Sequence, residues 1–131
     1  MSKYLAKIIA NDQDGLQMIS VCSAGAKVKV ADIKYLASNK VFLISIERIK
    51  IENNEEHKKI NSICRFDFVD KVRSKNIDQS NQEMILELIG IDYLKNNDDY
   101  EINLIFNNNA HIALTTETIE VRLEDQSEIR K

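Results

Sequence analysis

Residues 100–114 read YEINLIFNNNAHIAL, and the reading of this stretch decides the fold. Ile102, Leu104 and Phe106 fall on alternate positions. Ile112 and Leu114 do the same, and Asn107, Asn108 and Asn109 separate the two runs. Successive side chains on a strand point to opposite faces, so this spacing makes one apolar face and one wetted face. Two such runs joined by a short polar turn pair as an antiparallel hairpin. A third alternating run follows at Ile119, Val121 and Leu123.

Most of the chain upstream has the same character. Residues 4–9 are a short apolar run, expected as a first strand. Ala26, Val28 and Val30 alternate with Lys27 and Lys29, and Ile33, Tyr35 and Leu36 lead to a turn at Ser38-Asn39. Between residues 41 and 51, Phe42, Ile44 and Ile46 share one parity while Ile49 and Ile51 share the other. That change predicts a bulge or bend near Glu47-Arg48. Asn53 to Glu56 reads as a polar loop. Residues 60–72 resume strand character, with Cys64, Phe66 and Phe68 in phase until Val69 breaks the pattern. After a polar stretch at 77–82, Met84, Leu86 and Leu88 face one way and Ile85, Ile89 and Ile91 the other. A strand apolar on both sides is expected to be central and covered on both faces. Residues 95–99 read as a turn, and the tail from Gln126 is expected to fray.

One segment departs from this rhythm. Asp12 can accept a hydrogen bond from the free amides of a first helical turn, and Asp14 places negative charge where the helix dipole favours it. Leu16, Ile19 and Cys22 follow at helical spacing with Met18 beside them, and Gly25 tolerates a left-handed stop. The spacing predicts a helix over residues 13–23. Gly15 in its first turn weakens it by up to about 1 kcal/mol relative to Ala. The expected fold is therefore α+β. It is a predominantly antiparallel sheet or partly open barrel of about seven to eight strands, with the N-terminal helix packed on it.

A length of 131 residues suits a single domain over 1–131, and 44% hydrophobic with 30% charged residues is an ordinary globular composition. No apolar run approaches the roughly 20 residues that span a bilayer. Met1-Ser2-Lys3-Tyr4 has no apolar stretch behind it long enough for a signal peptide, so no membrane and a cytoplasmic location are expected. Cys22 and Cys64 are then expected as reduced, buried packing residues. The absence of Pro and the 3 Gly argue against a linker or a disordered chain.

A net charge of -3 and a pI near 5.4 disfavour non-specific nucleic-acid binding. The charge is unevenly spread. Residues 58–75 carry Lys58, Lys59, Arg65, Lys71, Arg73 and Lys75 against Asp67 and Asp70. Residues 83–125 carry an excess of acids, and these two sets are expected to pair across neighbouring strands. Phe66 and Phe68 among Arg65, Lys71 and Arg73 are a faint version of a stacking platform for nucleic acid, but they alternate as core residues do.

Gly15, Gly25 and Gly90 are too sparse for a phosphate loop, and no His/Cys set has zinc spacing, so neither cofactor nor metal is expected. His57 and His111 read as loop residues. A Cys/His nucleophile pair would require the fold to bring Cys64 beside one of them. The polar residues that stand out are Asp12, Asp32, Arg48, Glu117, Glu120 and Asp125. An Arg among carboxylates can grip an anionic ligand bidentately. More often the carboxylates satisfy the Arg themselves and tie strands together, and that structural reading is preferred.

The string from Ala6 to Leu36 resembles the N-terminal signature of an uncharacterised, alphaproteobacterial domain-of-unknown-function family. The matching residues are Asp12, Leu16, Ile19, Ser20, Ala26, Lys29, Val30, Asp32, Tyr35 and Leu36, without a gap. Phe42, Arg48 and Glu52 fit a second piece, and Glu117, Ile119, Glu120, Arg122, Leu123 and Asp125 a third. The chain departs from that pattern at Ala24-Gly25, where the family has Gln-Asp, and at Ile51, where it has Trp. The resemblance implies a compact, β-rich, cytoplasmic domain and supplies no activity, cofactor or catalytic residue.

The leading expectation is a non-enzymatic protein-interaction or self-association module, such as a homodimer. The alternative is a small anionic-ligand binder or enzyme using Arg48 with Glu117, Glu120 and Asp125.

Overall fold

The structure, a computed structural model, describes residues 5–50 and 58–128. In chain order the elements are β1 (Lys7–Ala10), α1 (Gln13–Ser23), β2 (Lys27–Lys29), β3 (Ile33–Leu36), β4 (Val41–Lys50), β5 (Lys58–Phe66) and β6 (Val69–Lys75). Then follow β7 (Ile85–Asn96), β8 (Asp99–Phe106), β9 (His111–Thr116) and β10 (Val121–Glu128). All ten described strands belong to one sheet, ordered β1-β10-β5-β4-β2-β7-β8-β9-β6, with β3 pairing β4 off that path. Every strand pairing is antiparallel. The α+β class with one helix on an antiparallel sheet is as expected; ten strands are found rather than seven to eight.

The extra strands arise at two places. Residues 26–36 hold two strands, because a 3-10 turn over Val30–Asp32 separates β2 from β3. Residues 60–72 also hold two, because Phe68 adopts a left-handed conformation (φ 59°) between β5 and β6. The expected tail is strand as far as Glu128, paired with Ile60 of β5. Tyr4, Ile51, Glu52, the Asn53 to Glu56 loop, His57 and residues 129–131 lie outside the described residues.

The β8–β9 hairpin forms where the alternation put it. Ile102 pairs with Leu114 and Leu104 with Ile112, all buried, and Asn108 and Asn109 take positive φ at the turn. Asparagine tolerates that conformation better than most residues. The helix also forms over the expected span. Asp12 Oδ1 accepts from the Gly15 amide at 2.8 Å, and Leu16, Ile19 and Cys22 are buried. A Cβ at Gly15 would stand 2.9 Å from Ala10, so glycine lets the first turn seat against β1. Gly25 (φ +84°) ends the helix and donates to the Leu88 carbonyl at 2.7 Å.

Two strand readings are corrected. The β4–β5 register runs without a shift through Glu47 and Arg48, so there is no bulge there. Phe42, Ile44, Ile46 and Arg48 all lie on the inner face, and Ile49 points outward, half exposed. The break in the apolar pattern is a buried charge and not a change of phase. Register shifts lie instead in β6 at Val69/Lys71, in β10 at Asp125/Ser127 and in β7, where the register slips between Leu88 and Gly90. Leu86, Leu88 and Ile91 are buried, whereas Ile85 and Ile89 are 58% and 55% exposed. One extra residue moved the apolar positions to the other parity, so β7 is covered on one face only. The displaced Ile91 amide donates to Ser20 Oγ of the helix at 2.9 Å.

The sheet curls until its edge strand β6 returns toward β3 and β4. The Val69 amide donates to the Lys40 carbonyl, and the Tyr35 hydroxyl donates to the Val69 carbonyl, both at 2.8 Å. Beyond that point β3 and β6 diverge, and the sheet stays open along this seam.

Candidate functional site

The inner face carries one polar cluster. On β4, position 48 follows Ile46 in phase and points inward; on β5, Ser62 shares the parity of Cys64 and Phe66; on β10, Asp125 shares that of Val121 and Leu123. The register sets Asp125 opposite Ser62, and Ser62 opposite Ile46, next in phase to Arg48. Arg48 Nη2 donates to both oxygens of Asp125 at 2.9 and 3.1 Å, and Arg48 Nε donates to Asp125 Oδ1 at 3.2 Å. Arg48 Nε also donates to Ser62 Oγ at 3.1 Å, while the Ser62 hydroxyl donates to Asp125 Oδ1 at 2.7 Å. The Ala6 amide donates to Asp125 Oδ2 at 2.8 Å.

Arg48 Nη1 reaches the Cys22 carbonyl at 3.5 Å, in the last turn of α1. That turn has no basic residue of its own, so the guanidinium supplies the positive charge that a helix C-terminus favours. One side chain thus ties β4, β5, β10 and the helix together. Both side chains of the pair are wholly withdrawn from solvent. A buried ion pair of this kind holds a geometry more than it adds stability, because desolvation offsets most of the attraction.

The other sequence candidates lie elsewhere. Glu117 is exposed on the β9–β10 loop, where it and Asp70 receive Lys40 Nζ at 3.2 and 2.9 Å. Those two carboxylates raise the Lys40 ammonium above its ordinary value. Glu120 is exposed, and its carbonyl accepts from the Asp67 amide at 3.0 Å. Of the four residues Arg48, Glu117, Glu120 and Asp125, the fold brings together only Arg48 and Asp125. Asp12 is the helix cap. Ser62 escaped the sequence reading, although its parity with Cys64 and Phe66 was a signal that a polar group faced inward.

Cys22 and Cys64 are both buried. Burial pushes the Cys64 thiol up to about 12, so at neutral pH it carries its proton and is a poor nucleophile. His111 Nε2 lies 2.8 Å from Asn103 Oδ1. Arg73 of the basic segment does pair with a carboxylate of the acidic one, but not on a neighbouring strand. Arg73 meets Glu101 at 2.6 Å, leaning across Ala113 and Thr115 of the strand between them, and Arg122 lies 3.8 Å from Asp67.

The clefts among the described residues include three at the sheet and helix surfaces. One, of about 220 Å³, lies in the seam between β3 and β6. A second, of about 350 Å³, runs between α1 and β7, and a third, of about 160 Å³, lies beside β2. Arg48 lines none of these three. No helix of the described residues is long and apolar enough to cross a membrane.

No curated protein and no solved structure matches the chain. A family model does: the one described as "Protein of unknown function (DUF2948)" matches residues 6–131, and the chain belongs to that family.

Proposed function

We propose that this chain is a single cytoplasmic, non-enzymatic domain that associates with a second copy of itself through the outer face of β7 and β8. The observation that carries the reading is the exposed apolar stripe at the β7 bulge. Ile85 and Ile89 on β7 are 58% and 55% exposed, and Ile105 on β8 is 38% exposed. The bulge between Leu88 and Gly90 turns Ile89 outward, next to Gly90, which stands opposite Ile105 in the ladder. Leu94, 57% exposed, extends it along β7.

Contiguous exposed apolar surface marks a protein interface more often than a scattered apolar residue does. A second copy is the favoured partner because two-fold homodimers dominate soluble oligomers. Glu87 lies between Ile85 and Ile89 on this face and stands opposite Lys27 in the ladder, so the face carries both signs, as self-complementarity requires. An anion site on Arg48 has less support, since its guanidinium is already held by Asp125 away from solvent.

Sedimentation velocity over a concentration series tests the proposal. A concentration-dependent dimer is expected for the unmodified chain. Ile89→Lys, on the outer face, is expected to sediment as a folded monomer. A strict monomer at every concentration, or an Ile89→Lys protein that still dimerises, overturns it.

A further inference from the structure

We infer that the seam between β3 and β6 is a binding site for a small, neutral, planar molecule that carries one hydrogen-bond donor. Among the described residues β3 pairs only with β4, and β6 only with β9, so each turns an edge without a ladder partner there toward the gap. The gap is fixed at both ends. At one end the Val69 amide and the Tyr35 hydroxyl bind across it, as described above. At the other, the Val30 and Ala31 amides donate to the Met84 and Gln82 carbonyls at 2.9 and 3.0 Å, which anchors the β6–β7 loop beside the cleft. A cleft held open by hydrogen bonds at both ends is preformed, and a ligand entering it meets little ordering cost.

The lining sets the chemistry. Val30, Phe42 and Ile112 form a buried floor, and Ile33 and Val72 are half-buried walls. No charged residue lines the cleft, so an ionic ligand would shed its water without a counter-charge. The size, about 220 Å³, exceeds the roughly 150 Å³ of an apolar cavity known to hold benzene. One ring or two fused rings fit. Gln79 and Gln82 line the cleft, and their side-chain amide nitrogens are engaged, Gln79 with Ser74 Oγ of β6 at 3.1 Å and Gln82 with the Gln79 carbonyl at 2.5 Å. That geometry leaves the side-chain carbonyl oxygens of both glutamines as acceptors. An N–H or O–H on the ring is the matching group.

Methyl NMR titration of the full chain with indole, 1-methylindole and toluene tests this. Saturable shifts are expected at the methyls of Ile33, Val72 and Ile112, with 1-methylindole and toluene binding about tenfold more weakly than indole. Val72→Phe fills the cleft and is expected to abolish the indole shifts, with circular dichroism reporting that it folds. Should it not fold, the ranking of the three probes on the unmodified chain still decides. Absence of saturable shifts, shifts elsewhere on the molecule, or equal binding of indole and 1-methylindole overturns the inference.

Discussion

The β8–β9 hairpin and the β4–β5 pair are built from the same antiparallel ladder, yet they solve the inner face differently. In the hairpin every inward position from Ile102 to Leu114 is apolar, apart from the turn. Burial alone specifies it. In β4–β5 the inward row begins with Phe42 against Phe66, rings 5.9 Å apart, and ends on Ile46 against Ser62 and Arg48 against Ile60. Here one face carries both a core and a charge, and Asp125, Ser62 and the Cys22 carbonyl engage that charge. The first region tolerates imprecision, since apolar contacts are non-directional. The second does not, since each hydrogen bond fixes a direction.

The sharpest way to break this contrast is Asp125→Ala. It leaves the Arg48 guanidinium buried without its carboxylate, and a loss of about 3–5 kcal/mol is expected from urea unfolding. Replacing both partners, Arg48→Met with Asp125→Leu, turns the polar region into a second apolar one. Most of that loss is then expected to be recovered. On the hairpin side, Leu104→Ala is expected to cost about 3 kcal/mol, as an ordinary core truncation with no charge at stake.

Cys64 sharpens the comparison through pH. Its thiol is raised from 9.0 to about 12 by burial. Below pH 9 it is neutral in both the folded and the unfolded chain. Above that, only the unfolded chain ionises, so stability falls as pH rises until the folded thiol titrates. Between pH 9 and 10 the unmodified chain is expected to lose up to about 1.4 kcal/mol more than Cys64→Ala, read from paired urea midpoints. The smallest effect belongs to the helix shared by both regions: Asp12→Ala removes the cap on the Gly15 amide and is expected to cost about 1 kcal/mol.

Where local chemistry decided the outcome, the sequence was legible. Asp12, the Leu16/Ile19/Cys22 spacing and Gly25 bounded the helix, and alternation placed the hairpin. Where a distant group decided it, the signal was ambiguous. An inward Arg48 and a bulge both interrupt an apolar alternation, and only the position of Asp125, 77 residues away, tells them apart. The reverse error fell on β7, where the extra residue at Ile89 imitated a strand covered on both faces. The choice among Arg48, Glu117, Glu120 and Asp125 depended on the strand order, which follows from no local property of the chain.

That order has a consequence for how the protein is made. β10 lies between β1 and β5, so the strand translated last of the ten is a central one. Until it emerges, β1 has no ladder partner and one edge of β5 is bare. Such edges invite pairing with other chains. At about 5–20 residues per second, the 77 residues that separate Arg48 from Asp125 take roughly 4–15 s to synthesise. During that interval the nascent chain lacks the Asp125 carboxylate that the Arg48 guanidinium meets in the folded protein. A ribosome stalled before β10 leaves a chain without the strand that joins β1 to β5.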